Sequence, residues 1–235
     1  MSSVCLYSAF DASALQFAPL EKNKKGGKIV NVSLPAPDGG KRRITIQTPV
    51  VAVPFGVTPY QEANTGEIQS YSIDISFRNV ETDPRIADFL ARMRTLDDVL
   101  LDTAVTNSKE WFGKAMTKDV VKEFLRKMVK DPANTQYPPV MKVKVPVING
   151  EPTSQFYDEN RQPVGIDYIT KGTTVKMILE LSPMWFFNKN FGVTWKLLQA
   201  AVVSRPRRLD SYAFADDDTA AATPSADAPA ETVEL

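Results

Sequence analysis

Histidine is absent from all 235 residues. That removes the usual general base near neutral pH, the Ser-His and Cys-His nucleophile pairs and the commonest metal ligand. A single cysteine, Cys5, excludes an internal disulfide and every Cys-rich zinc pattern. Carboxylate-only metal sites and Ser-Lys chemistry stay formally open, but no constellation of either kind can be read, so neither an enzyme nor a cofactor is expected. No apolar run approaches the ~20 residues that span a bilayer. The first 20 residues lack a basic start and are interrupted by Asp11, unlike a secretory leader. An intracellular protein without a membrane partner is the expectation.

Basic residues are also missing from one part of the chain. Asp210, Asp216, Asp217, Asp218, Asp227, Glu231 and Glu234 follow residue 209, where there is no Lys or Arg. All 28 basic residues therefore precede residue 210, against 21 of the 28 acidic ones, and the formal net charge of zero conceals a body of about +7. A cationic body beside an anionic segment suits the handling of a polyanion, for which the acidic segment competes. The sequence divides into one large domain over residues 1–209 and an Ala/Pro-rich acidic tail over 210–235, too polar to fold alone. Asp216-Asp217-Asp218 lacks the fixed geometry a divalent ion requires, so these carboxylates read as a partner-binding or autoinhibitory segment.

Residues 28–34 and 43–48 are β-branched runs around a Pro/Gly turn, read as two strands. In 69–78, Tyr71, Ile73, Ile75 and Phe77 share one strand face, and Ser70, Ser72, Asp74, Ser76 and Arg78 share the other. Thr82 or Asp83 with Pro84 announces a helix, whose apolar stripe is Ile86, Phe89, Leu90, Met93, Leu96, Leu100 and Ala104. A second helix starts at Thr117, giving a helical insertion over about 83–130. Residues 141–147 alternate apolar and basic, exposing Lys142 and Lys144, and in 173–181 Val175, Met177, Leu179 and Leu181 point one way and Lys176, Ile178 and Glu180 the other. The stretch 184–203 reads as a hairpin closing the sheet. Short strands with helices confined to the middle predict an α+β domain built on an antiparallel sheet or small barrel.

The sharpest local candidate is the end of the body, where Trp185, Phe187 and Trp195 interleave with Lys189, Lys196, Arg205, Arg207 and Arg208. Aromatics stack on unpaired bases while Lys and Arg follow phosphates. Lys142, Lys144 and Lys176 join this candidate set. Large aromatics mostly bury, so for any one of the three rings a core role is the commoner one. The cluster Lys22, Lys24, Lys25 and Lys28 around Gly26-Gly27 reads as a surface turn and lacks the spacing of a phosphate-binding P-loop.

Trp111-Phe112-Gly113-Lys114, Tyr137-Pro138-Pro139, Lys142-Val143-Lys144, Trp185-Phe186 and Phe191-Gly192-Val193-Thr194-Trp195-Lys196 resemble a family of large nucleocytoplasmic DNA viruses, notably those of algae. That family is often left as a domain of unknown function. It has been likened to the OB-fold single-stranded-DNA-binding replication proteins of short-tailed bacteriophages. The resemblance implies an OB-like barrel with an inserted helix pair, binding single-stranded DNA at a viral replication site in the host nucleus or cytoplasm. It also implies replication partners reached through the acidic tail, and a homodimer. The tail departs from the phage pattern by finishing Val233-Glu234-Leu235 rather than on an aromatic. The competing reading is a virion structural or protein-interaction component whose aromatics are all core.

Overall fold

The computed structural model describes residues 4–23 and 26–206. Short β1 (Cys5–Leu6) precedes β2 (Gln16–Lys22), β3 (Lys28–Pro35), β4 (Lys41–Arg42), β5 (Thr45–Gln47), β6 (Val51–Ala52), β7 (Val57–Gln61) and β8 (Ile68–Ser76). Helices α1 (Pro84–Thr106), α2 (Ser108–Phe112) and α3 (Lys118–Phe124) follow. Then come β9 (Val129–Lys130), β10 (Val140–Ile148), β11 (Glu151–Pro152), β12 (Gln155–Tyr157) and β13 (Pro163–Val164). The last elements are β14 (Thr174–Leu181), β15 (Met184–Phe187), β16 (Asn190–Gly192) and β17 (Trp195–Ser204).

The pairings close a ring. β6 pairs with β14 and β8, β8 with β10, β10 with β17, and β17 returns to β14. Only β10 and β17 run parallel in this ring, with Val143 opposite Trp195. Counting β5 and β6 as one bent strand, the five barrel strands lie in the order first, second, third, fifth, fourth, which is the Greek-key barrel of an OB-fold. The bend falls at Pro49, which has no N–H for a ladder. Buried Thr48 spans it: its N–H donates to Met177 O at 2.9 Å, and its hydroxyl accepts from Met177 N at 3.0 Å. Two register shifts between β14 and β17 supply the curvature that closure demands.

The strict alternation of residues 69–78 sets which side chains meet across β8 and β10. Ile75 pairs with Met141 and Ile73 with Val143, all buried; Asp74 pairs with Lys142 and Ser72 with Lys144 on the outer face. Asp83 caps α1 by accepting from Arg85 N at 2.9 Å, and Pro84 takes the first turn. The apolar stripe read from the sequence is buried throughout. Phe89 from this stripe meets Tyr7 and Phe77 edge-on or tilted, with ring centroids 5.5 and 5.6 Å away. Arg92 donates to Phe10 O at 2.7 Å, and the Phe10 ring abuts Trp195. Residues 7–14 are thereby held between the helix and the barrel.

Two strand expectations need correction. Lys41–Arg42 pairs with the end of β3, but Thr45–Gln47 leaves that hairpin to join β14, so 28–34 and 43–48 are not simple partners. The stretch 184–203 is two structures: β15 and β16 form a hairpin in a second sheet with β3 and β2, and β17 separately closes the barrel. The break falls at Val193-Thr194, where Thr194 exchanges hydrogen bonds with Ser182.

Phe89→Ala should destabilise the protein by about 3–5 kcal/mol in urea unfolding, because a fully buried ring between helix and barrel leaves a cavity that neither can collapse into. A loss below ~1 kcal/mol would show that the helix is not docked in this way.

Candidate nucleic-acid interface

The outer face of β8 and β10 is small and polar on one strand and cationic on the other. Ser72 lies opposite Lys144 and accepts from Lys142 Nζ at 3.4 Å, Asp74 lies opposite Lys142, and Ser70 lies opposite Pro146. β7 rises on one side with Thr58, Pro59 and Tyr60, and Trp185, Val193 and Thr194 form the opposite wall. Together with residues 126–130 they enclose an open groove of about 550 Å³. Five cations line it, namely Arg126, Lys127, Lys130, Lys142 and Lys144, and none of its described lining residues is acidic. Lys142 is partly neutralised from beneath by Asp74, 3.1 Å away. Tyr60 is largely exposed, whereas Tyr71 and Trp185 are half-buried. The Trp185 indole N–H donates to Thr194 Oγ1 at 3.2 Å, which fixes the ring in the wall.

Residues 125–130 act as a strap pinned at several points. Leu125 bridges Phe191, and Arg126 N donates to Phe191 O at 2.8 Å. A Cβ on Gly192 would lie 3.0 Å from Arg126 O and 3.2 Å from the Trp185 ring, so any larger residue would push the strap or the ring aside by a few tenths of an ångström. At the far end, Val129 and Lys130 pair with Met141 and Val140. Between these anchors Met128 N donates to both carboxylate oxygens of Asp97, at 3.2 and 3.3 Å. Asp97 is buried on α1 facing Lys127, with Arg94, Asp98 and Asp131 around it. Burial raises its pKa from 3.8 to about 6, against the opposing backbone hydrogen bonds from Met128 and Val129 and the charge of Lys127.

The residues singled out from sequence divide among several places. Lys142, Lys144 and Trp185 line the groove. Trp195 borders it but is 1% exposed and packed on Phe10, so its expected stacking role is corrected: the alternation that buries Val143 buries its parallel partner too. Phe187 and Lys189 lie across the β15–β16 hairpin at a second cavity, which Lys28 also lines. Lys176 borders a cleft on the outer face of β14 and β17, and Lys196 sits across from Glu180. Neither lines the groove. Arg205 stacks on Tyr168, 3.9 Å from the ring centroid, beyond the end of β17 opposite Trp195. Lys24, Lys25, Arg207, Arg208 and the tail carboxylates Asp216, Asp217, Asp218, Asp227, Glu231 and Glu234 lie outside the described residues. Tyr60, Arg126, Lys127 and Lys130 were not picked out from sequence. The available signal was a basic run directly after an apolar helix, but cations are ordinary at a helix C-terminus, so the run alone does not mark a site.

The chain belongs to a family of unknown function, DUF5871, whose model matches residues 73–216. It is 28% identical over 165 residues to the uncharacterized protein L291 of Acanthamoeba polyphaga mimivirus, covering 68% of this chain and 26% of that protein. The chain thus spans about a quarter of that relative's length. Among solved structures it is similar to gp2.5, a single-stranded DNA binding protein encoded by bacteriophage T7, at 15% identity and a TM-score of 0.48, covering 76% of this chain and 93% of that one. It is also similar to the single-stranded DNA-binding protein from bacteriophage Enc34 in complex with ssDNA, at 14% identity and a TM-score of 0.39, covering 85% and 99%.

Because the folded pKa of Asp97 lies above its ordinary value, the group favours the folded state fully below about pH 4, and that contribution is lost as pH rises through about 6. The stability of the native protein minus that of Asp97→Asn should therefore fall by ~2 kcal/mol between pH 4 and pH 7 in parallel urea titrations. A difference independent of pH would mean that Asp97 is not held in a buried, poorly solvated site.

Proposed function

We propose that this protein binds single-stranded DNA without sequence preference, serving viral DNA replication, recombination or repair, with its acidic tail as competitor and docking segment. The observation that carries this reading is the groove on the second and third barrel strands, where five cations converge without a described acidic lining residue. This face is where OB-folds take oligonucleotides. Exposed Tyr60 and the edge of Trp185 offer apolar surface for bases, while the lysines follow phosphates; neither discriminates between bases. The viral setting is supported by kinship with a mimivirus protein.

The seven tail carboxylates, tethered to a cationic body, have an effective concentration near the groove on the order of millimolar. They are a built-in rival for the same cations. The tail's run of carboxylates without a basic residue also suits it to contacting replication proteins.

Anisotropy of labelled oligo-dT and its duplex tests the reading directly, using the full chain and a protein truncated after Leu209. The single strand should bind more tightly than the duplex, with a negative log-log salt slope, and truncation should tighten binding. No affinity at low salt by either protein would favour a virion or protein-interaction role instead.

Individual groove residues have unequal expected effects. Lys144→Ala should reduce the salt slope by about 0.7, the release expected for one phosphate contact on a single strand. Lys142→Ala should reduce it less, because Asp74 already neutralises that ammonium in part. Asp74→Asn should tighten binding. Equal losses for the two lysines, with no gain from Asp74→Asn, would contradict the assignment of this face.

A further inference from the structure

Across the β15–β16 hairpin from the groove lies a cavity of about 330 Å³ with an aromatic lining and a basic rim. Trp111, Phe112 and Phe186 form its inner surface, with the Trp111 and Phe112 centroids 5.4 and 5.8 Å from that of Phe186 in edge-to-face contact. Lys28, Lys114 and Lys189 also line it, and none of its described lining residues is acidic. Phe187 stands at the mouth, 69% exposed, so its ring face is open to solvent beside the cavity.

The hairpin joins the two cavities. Trp185 and Phe187 are alternate residues of β15, so they share a strand face about 7 Å apart, one at the groove and the other at this cavity. Lys189 sits in the two-residue turn between β15 and β16, where Asn188 and Lys189 both have positive φ, and that tight turn presents its ammonium beside Phe187.

We propose that this cavity is a second nucleobase subsite, continuous with the groove: a single strand leaving Trp185 crosses the hairpin, stacks on Phe187 and places a base against the aromatic lining, with Lys114 and Lys189 on its phosphates. This rests on the groove reading above. The chain's own aromatic pair Tyr212 and Phe214 is a poorer occupant. Phe214 is eight residues past Pro206, at most ~29 Å of extended chain. β17 alone puts ~30 Å between the hairpin end of the barrel and the end from which that segment departs.

The test is a length series of oligo-dT bound to the full chain and to Phe187→Ala/Lys189→Ala, with thermal unfolding as the check that the variant is folded. Short oligonucleotides that fill only the groove should bind both proteins alike. Longer ones should bind the variant roughly 5- to 100-fold more weakly, and the length at which native affinity saturates should drop by one or two nucleotides. 5-Iodouracil placed near one end of a saturating oligonucleotide should crosslink to Trp111 or Phe187. Identical length curves for the two proteins would overturn the subsite, as would equal losses at every length, which would make the hairpin a support for the groove. Competition by a peptide of residues 210–218 that requires Phe187, with DNA length curves unchanged, would overturn it in favour of an acidic peptide. Absence of binding by the native protein at any length would instead reject the groove itself.

Discussion

Strand β17 pairs along both edges, parallel to β10 and antiparallel to β14, and the functional face depends on that closure. Without it β8 and β10 would form part of an open sheet with both faces to be covered. With it, Ile73, Ile75, Met141 and Val143 turn wholly inward, and Ser72, Asp74, Lys142 and Lys144 of the same two strands face outward. The cationic groove is the outward half of one alternation whose inward half is core. Its walls come from β7, from the insertion between the second and third barrel strands and from the β15–β16 hairpin, so the site forms only when barrel, helices and hairpin assemble together.

The strap over residues 125–130 is held at the cost of a buried carboxylate. It positions Arg126, Lys127 and Lys130 by burying a carboxylate, Asp97, that burial pushes towards neutrality. Such a group weakens the fold at neutral pH relative to acid, and its retention fits a positioning role better than a stabilising one. Gly192 serves the same end by letting the strap approach the hairpin within backbone contact distance. Charge is separated at a larger scale too: an excess of cations on the body and an uninterrupted set of carboxylates after residue 209 make any polyanion contact dependent on salt.

The parts legible in the sequence were those governed by local periodicity. Alternation in residues 69–78 and 141–147 identified the two groove strands, and Asp83-Pro84 with the stripe from Ile86 to Ala104 identified α1. The central part of each face could be read, but Ser70 and Ser76, expected on the outer face, are buried, and Tyr71, expected on the packed face, lines the groove; which strands meet could not be read. Trp195 and Lys196 looked like one aromatic-basic motif with Trp185, yet they belong to a barrel strand and Trp185 to a different sheet. Lys176 and Arg205 carry the right charge on surfaces the barrel turns away from the groove. The strap was missed because Arg126, Lys127 and Lys130 gain a common direction only through contacts with Phe191, Asp97 and Met141, residues distant in sequence.

Hydrogen exchange of the full chain with and without oligo-dT would test the groove as the nucleic-acid face most directly. Slowed exchange in residues 126–130 and 140–146, with the outer edge of β14 around Lys176 unchanged, is the predicted outcome. Protection centred on Lys176 and Tyr157, or none in the strap at saturating DNA, would contradict it.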